Sequence, residues 1–196
     1  VHEGVGPRSI LSFNVEAVFL TLLNYYYMLN GNSNKVLFDR IANSIHVQKH
    51  DRIPYFHCHG VIPINGYNAR KGHLASDKLV LTEDNYLELA NNSFSWQATS
   101  FIDNCMNRRV VFCGVSLTDA NMRRWLSWIH ANKMAEFKEN GLNCRDATEH
   151  FWIRKKPNTV QEKIWLEESV AHLGVRLVWI DEWNQTGEVL KKMLGL

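Results

Sequence analysis

Short apolar runs alternate along the chain with longer segments that carry apolar residues at helical spacing. The short runs are rich in β-branched and aromatic residues and predict buried strands, whereas apolar positions three and four apart predict helices. The predicted strands cover 9–13, 53–58, 110–113, 147–153 and 175–180, with a short extended run at 78–81. The predicted helices cover 15–29, 82–90, 93–106, 120–131, 159–173 and 187–194, and the polar stretch 65–76 predicts a loop.

Strands and helices that alternate in this way are typical of an α/β fold, a Rossmann-like parallel sheet with helices on both faces. Such sheets bind ligands at the carboxyl ends of their strands. Three positions follow predicted strands directly: Asn14, His59-Gly60 and Gly114-Val115-Ser116. The pattern therefore makes these three places the candidates for a binding site.

The composition is that of an ordinary folded domain and excludes some functional classes. The 196 residues are 45% hydrophobic and 21% charged, enough for one domain with a sizeable core. A net charge of +2 gives no basis for a nucleic-acid or membrane partner. None of the four cysteines lies in a C-x-x-C pair, and Cys105 and Cys113 are predicted to be buried. A cytoplasmic location is the simplest expectation.

Each candidate also has a plain structural interpretation. An asparagine after a strand is commonly a turn residue or a helix cap. A histidine there is commonly structural, and a serine before a helix commonly caps it. His57 and His59 are two residues apart and point the same way along a strand, but a metal site would need a third ligand. No other spacing in the sequence supplies one, so no metal is expected.

Taken together and in order, three segments form a pattern. They are Ser-Phe-Asn-Val-Glu around Asn14, Tyr-Phe-His-Cys-His-Gly ending at Gly60, and Val-Phe-Cys-Gly-Val-Ser-Leu-Thr-Asp-Ala-Asn containing Gly114 and Ser116. They resemble the sirtuin signatures. The last segment and the stretch from Leu79 to Tyr86 are similar to the sirtuin-like NADase domains of bacterial anti-phage defence proteins, such as those of the Thoeris system.

This resemblance implies a role for each matching residue, with NAD as the substrate and no metal. His59 matches the catalytic histidine, followed by Gly60 of the His-Gly dipeptide. Asn14 matches the asparagine that contacts the nicotinamide ribose and the reacting water. The turn of Gly114 and Ser116 matches the one that holds the adenosine half of NAD. Glu16 stands where the family has aspartate, which leaves it a ribose or a structural role.

The residue types also suit NAD cleavage independently of the resemblance. Cleavage between ribose and nicotinamide passes through an oxocarbenium-like centre, as glycoside hydrolysis does. A base with a pKa near neutrality assists by activating water, and histidine has this property. The amide of Asn14 can donate and accept at once, so it can orient water and a hydroxyl group. A helix N-terminus after Ser116 is expected to offer free backbone N–H groups to an anionic ligand.

Two departures from the sirtuin pattern keep other functions open. No strand and glycine-rich loop precede the Asn14 segment, so residues 1–196 are expected to be the C-terminal, larger part of one sirtuin-like NAD-binding domain. No four-cysteine zinc module follows the His-Gly dipeptide, which argues against deacylation.

Three hypotheses therefore stand. The first is an NADase that depletes cellular NAD in anti-phage defence. The second is an NAD-dependent deacylase or ADP-ribosyltransferase, and the third is a non-catalytic nucleotide-binding or assembly domain. The resemblance also implies a homo-oligomer or a defence-system partner protein.

Overall fold

The structure is a computed structural model that describes residues 6–30, 37–62, 79–92, 94–144 and 150–195. The chain divides into two compact units, one made of Gly6–Gln97 and the other containing Ala98–Leu196. The loop predicted at 65–76 lies outside the described residues, as does most of the region between β3 and α2 defined below.

The elements follow the predicted alternation closely. The strands are β1 (Ile10–Ser12), β2 (Phe38–Ile41), β3 (Ile53–His57), β4 (Val111–Phe112), β5 (His150–Lys155) and β6 (Val175–Ile180). The helices are α1 (Val18–Leu29), α2 (Glu83–Asn91), α3 (Trp96–Asn107), α4 (Ala120–Glu139), α5 (Val160–Ala171) and α6 (Thr186–Met193). The described residues 79–81 form no strand, so the extended run predicted there is not part of a sheet.

Every strand pairing within the described ranges is parallel. One sheet has the order β1-β3-β2 and belongs to the first unit, and the other has the order β4-β5-β6 and belongs to the second. Parallel neighbours need a crossover connection. Helices α1, α4 and α5 connect β1 to β2, β4 to β5 and β5 to β6, whereas residues 42–52 connect β2 to β3 without a helix. The predicted fold class, an α/β arrangement of parallel sheet flanked by helices, is confirmed.

Strand β2 is absent from the sequence prediction because its centre is charged. Asp39 is only 4% exposed, although its carboxylate is ionisable. It accepts a hydrogen bond of 2.9 Å from His46 Nε2 and another of 2.9 Å from the backbone N–H of Lys49. These partners offset the cost of burying a carboxylate, which an apolar pattern cannot foresee.

Helix α1 contributes little to the core of its unit. Leu20 is its buried residue and packs with Phe38, Ile53 and Tyr55. Two of its three consecutive tyrosines face solvent, since Tyr25 and Tyr26 are 59% and 71% exposed. The remaining apolar side chains that helix α1 exposes to solvent are Val18, Phe19, Leu22, Met28 and Leu29.

The second unit is built around aromatic and aliphatic side chains from α3, α4 and the sheet. Phe101 packs against Trp125 with ring centroids 5.6 Å apart, and both residues are buried. Cys105 is buried as predicted, but Cys113 is exposed because β4 has already ended at Phe112. Among the described residues, no helix is both long and apolar enough to cross a membrane.

Candidate active site

His59 lies in a tight turn at the carboxyl end of β3. The backbone N–H of Cys58 still donates to the carbonyl of Ser12 on β1 at 2.8 Å, so the pairing of the two strands continues to that point. Gly60 then donates to the carbonyl of His57 at 3.0 Å and adopts φ of +78°. Because this backbone conformation strongly favours glycine, the His-Gly order is what permits the turn.

The imidazole of His59 is packed between two aromatic rings. It is 5% exposed and makes edge-on contacts with Phe13 at 5.1 Å and with Tyr86 at 5.2 Å between ring centroids. The Tyr86 hydroxyl lies 3.5 Å from Nδ1, a long hydrogen bond. A histidine held in this way has its ring plane fixed before any ligand arrives.

Asn14 follows β1 at the same edge of the first sheet. Its backbone N–H donates to the Ser12 hydroxyl at 3.3 Å, and that hydroxyl donates to its carbonyl at 3.3 Å. The residue is exposed, and its side-chain amide makes none of the described hydrogen bonds. The amide is therefore available to water or to a ligand hydroxyl.

Glu16 has a structural role in this arrangement. Its carboxylate accepts a hydrogen bond of 3.0 Å from the backbone N–H of Phe19 in the first turn of α1. A carboxylate at this position satisfies an otherwise unpaired helix N–H and interacts favourably with the helix dipole. Of the two roles that the sequence left open for Glu16, the contacts support the structural one.

His57 points into the protein rather than into the candidate site. It is fully buried against Tyr55, with ring centroids 4.9 Å apart. Burial lowers its pKa from 6.5 to about 4, and the charge of Arg40 acts in the same direction, while the Asn14 carbonyl opposes the shift. Neither ring nitrogen makes a hydrogen bond of good geometry within the described part of the chain, and the lowered pKa keeps this core histidine neutral at ordinary pH.

Gly114 and Ser116 lie in the second unit, in the turn between β4 and α4. Gly114 has φ of +68° and is exposed, and a Cβ built on it would meet nothing within 4 Å. Two contacts with the rest of the unit hold the turn in place: the Trp152 indole donates to the Val115 carbonyl at 3.0 Å, and Leu117 is buried. Arg123 also donates to the Leu117 carbonyl at 3.2 Å.

Helix α4 begins at Ala120, as the sequence predicts, but N–H groups that were expected to be free at its start are engaged within the chain. Asp119 is the N-cap of α4, and its Oδ1 accepts from the N–H groups of Asn121 at 2.8 Å and Met122 at 3.1 Å. Ser116 instead contacts the Thr118 hydroxyl at 2.6 Å. A carboxylate already occupies the helix terminus, and its charge disfavours an anionic ligand there.

Sequence reasoning missed the contacts that hold these residues. Tyr86 stood within the quoted Leu79–Tyr86 stretch, but only the folded chain brings it to His59. The roles of Arg123 and Trp152 have no signal in the sequence. Arg123 also donates to the Ser169 carbonyl at 2.9 Å, 46 positions away, and Trp152 donates to a carbonyl 37 positions away. Among the described residues, no group of three or more His, Cys, Asp or Glu side chains is arranged to hold a metal ion.

Comparison with known proteins supplies the family. No curated protein matches the chain. A family model described as the SIR2-like domain matches residues 19–173, a range that contains His59, Gly60, Gly114 and Ser116 and begins after Asn14 and Glu16. Since that range is well over half of the chain, the protein belongs to the SIR2-like family, whose members typically act on NAD.

Proposed function

We propose that this protein hydrolyses NAD to nicotinamide and ADP-ribose, with His59 as the base. The observation that carries the proposal is the setting of His59, a histidine fixed between Phe13 and Tyr86 at the carboxyl end of β3. Strand β1 pairs with β3, and the exposed amide of Asn14 leaves the sheet at the same edge. A base and an orienting amide are the two groups that attack by water requires.

The hydrolysis needs no reactant besides NAD and water. A water molecule oriented by Asn14 loses a proton to His59 as its oxygen bonds to C1′ of the nicotinamide ribose. The bond between C1′ and the pyridinium nitrogen breaks, and its electron pair neutralises the nicotinamide, which leaves without needing a proton. A ribose hydroxyl in place of water would give a cyclic product by the same steps.

The other assignments rest on the resemblance. Gly60 serves the site through its turn, and the exposed Gly114–Ser116 turn is the proposed contact for adenosine. The role in depleting cellular NAD during anti-phage defence, and assembly into a homo-oligomer or with a defence partner, are proposed on the same basis. The extent of the domain, with residues 1–196 as the larger part of one NAD-binding domain, is also a proposal.

A non-catalytic nucleotide-binding domain is the second candidate. Two observations favour it: the Glu16 carboxylate is engaged by an N–H of the first turn of α1, and Asp119 occupies the terminus of α4. Neither group is then free to align NAD for the reaction, although a nucleotide could still bind. This candidate predicts NAD binding without nicotinamide release, whereas a deacylase or ADP-ribosyltransferase predicts release that depends on an added acceptor.

Nicotinamide release from NAD by the purified protein separates these functions. We expect release by the unaltered protein without any acceptor, and a loss of about 100-fold or more in kcat in His59→Ala. His50→Ala is the matched control, because His50 is an exposed histidine of the same unit. Equal rates in His59→Ala and His50→Ala would refute the role of His59. If NAD binds but neither the unaltered protein nor any variant releases nicotinamide, the result would support the nucleotide-binding function instead.

A further inference from the structure

We propose that Tyr86 is a positioning residue that holds His59 in the tautomer with its proton on Nδ1, leaving the lone pair on Nε2 for the reacting water. This inference rests on the proposed function, since it assigns a role in the same reaction. It concerns a contact between two elements that are separate in sequence, β3 and α2.

The hydroxyl of Tyr86 is the polar group described next to Nδ1 of His59, at 3.5 Å. A neutral imidazole has one protonated and one unprotonated nitrogen, and the hydrogen bond made by one nitrogen decides the state of the other. A phenol can accept a hydrogen bond from Nδ1–H or donate one to an unprotonated Nδ1, and the first arrangement is the one that leaves the lone pair on Nε2. Catalytic hydrogen bonds are commonly long in the absence of ligand and shorten in the complex, so 3.5 Å is compatible with this role.

The two aromatic contacts fix the plane of the imidazole. Phe13 and Tyr86 both meet it nearly perpendicularly, at interplanar angles of 85° and 83°. Edge-on arrangements of this kind are favourable for aromatic rings. A quarter-turn of the imidazole about its Cβ–Cγ bond would break both contacts, whereas a half-turn would keep the ring plane but move Nδ1 away from the Tyr86 hydroxyl. The two rings and the hydroxyl therefore select one orientation together.

The contacts of the residues before Tyr86 hold its side chain next to His59. The backbone N–H of Val80 donates to the carbonyl of His59 itself at 3.0 Å, and Val80 is buried. A capping box then starts α2: Thr82 Oγ1 accepts from the N–H of Asn85, and Asn85 Oδ1 accepts from the N–H of Thr82. This fixes where the helix begins and therefore where its fourth residue points.

Leu89 anchors the same side of the helix. It is 8% exposed and lies three residues after Tyr86, so the two side chains are neighbours along one face of α2. Tyr86 itself is half-buried. The helix is thus held at its start, through Val80 and the capping box, and at its far end, through Leu89, and Tyr86 lies between the two anchors.

Two variants separate the hydroxyl from the ring. Tyr86→Phe keeps the aromatic contact and removes the hydrogen bond, whereas Tyr86→Leu removes both. We expect Tyr86→Phe to lower kcat about 10- to 100-fold with KM for NAD changed less than about 3-fold, as is typical when the partner of a functional histidine is lost. Tyr25→Phe is the control, because Tyr25 is 59% exposed on α1.

A second readout does not depend on turnover. The ¹⁵N chemical shifts of the ring nitrogens of His59 report its neutral tautomer, and we expect the Nδ1–H form in the unaltered protein and a mixture in Tyr86→Phe. A protein that releases no nicotinamide but shows this change refutes the proposed function and supports the positioning role. An unchanged tautomer, or an unchanged kcat in an active Tyr86→Phe, overturns the positioning role.

Discussion

Ser12 of β1 and His57 of β3 are register partners in the parallel pairing of the first sheet. Asn14 and His59 each lie two residues beyond these partners, past the ends of β1 and β3, so the pairing carries both to the same edge of the sheet. The ring of Phe13, which precedes Asn14, packs edge-on against that of His59, with ring centroids 5.1 Å apart. The proximity of these two segments is therefore a property of the backbone register and needs no particular side-chain conformation.

Removing the amide of Asn14 tests its role in orienting water. We expect Asn14→Ala to lower kcat for nicotinamide release about 100-fold, the loss typical of one donor aimed at a transition state. Thermal stability should stay unchanged, because the hydrogen bonds of this turn use the backbone atoms of Asn14 and not its side chain. Asn91→Ala, which alters an exposed asparagine of the same unit, is the control. Equal activity of the two variants would contradict the assignment.

The buried His57 makes the stability of the protein depend on pH. Its pKa is about 4 in the folded chain and 6.5 when exposed, so between these values the unfolded state binds more protons than the folded one. Stability is therefore full above pH 6.5 and falls as the pH drops towards 4. Since one pKa unit corresponds to about 1.4 kcal/mol, the loss is about 3 kcal/mol.

Replacing His57 by phenylalanine isolates this contribution. His57→Phe keeps an aromatic ring against Tyr55 and cannot titrate, so its free energy of unfolding should fall less between neutral pH and pH 4. Urea denaturation at a series of pH values measures the difference. Burial also lowers the pKa of His130. Because His130 is present in both proteins, its contribution to the pH dependence cancels. Parallel pH profiles for the two proteins would show that His57 is not the titrating group.

The elements that the sequence predicts well are those whose apolar pattern agrees with their burial. Strand β6 at Val175–Ile180 matches its predicted range in full. Helix α4 runs on to Glu139, beyond the predicted end at 131, because no glycine interrupts it before Gly141 at φ of +65°. Strand β2 was missed for the opposite reason, since Asp39 is charged and yet buried through its hydrogen bonds.

The residues of the candidate site also fall into those that the sequence predicts and those that it does not. Strand ends are visible in sequence to within a residue, so Asn14, His59 and Gly114 are found close to where the pattern predicts them, each two positions past the end of β1, β3 or β4. The partners of those residues are not visible, because contacts such as that of Tyr86 with His59 join segments 27 positions apart. The sequence leaves the cap of α4 open, because Ser116 and Asp119 are both good caps, and only the fold selects Asp119.

The cap formed by Asp119 should be measurable as stability. Asp119→Ala removes the acceptor of two backbone N–H groups and should lower the free energy of unfolding by about 1 kcal/mol. Asp119→Asn retains an acceptor and should lose less. Thr159→Ala, at the start of α5, provides a matched cap with a single hydrogen bond of 3.2 Å. Urea denaturation that ranks Asp119→Asn as the most damaging of the three would argue against capping.

Gly114 and Gly174 offer a comparison in which the backbone is the same and the surroundings differ. Both have φ of +68°, so alanine at either position carries the strain of a left-handed conformation, about 1 kcal/mol. A Cβ at Gly114 would meet nothing within 4 Å, but at Gly174 it would lie 2.7 Å from Nδ1 of His130. We therefore expect Gly174→Ala to destabilise the protein more than Gly114→Ala.

The additional cost at Gly174 comes from His130, and a double variant can show this. Combining Gly174→Ala with His130→Ala removes the side chain that the new Cβ would strike, so the two changes together should cost less than the sum of the single changes. Free energies of unfolding in urea for the four proteins give the coupling directly. Strict additivity would mean that His130 moves aside freely. The strain at both glycines would then be conformational alone, and Gly114→Ala and Gly174→Ala should be equally destabilising.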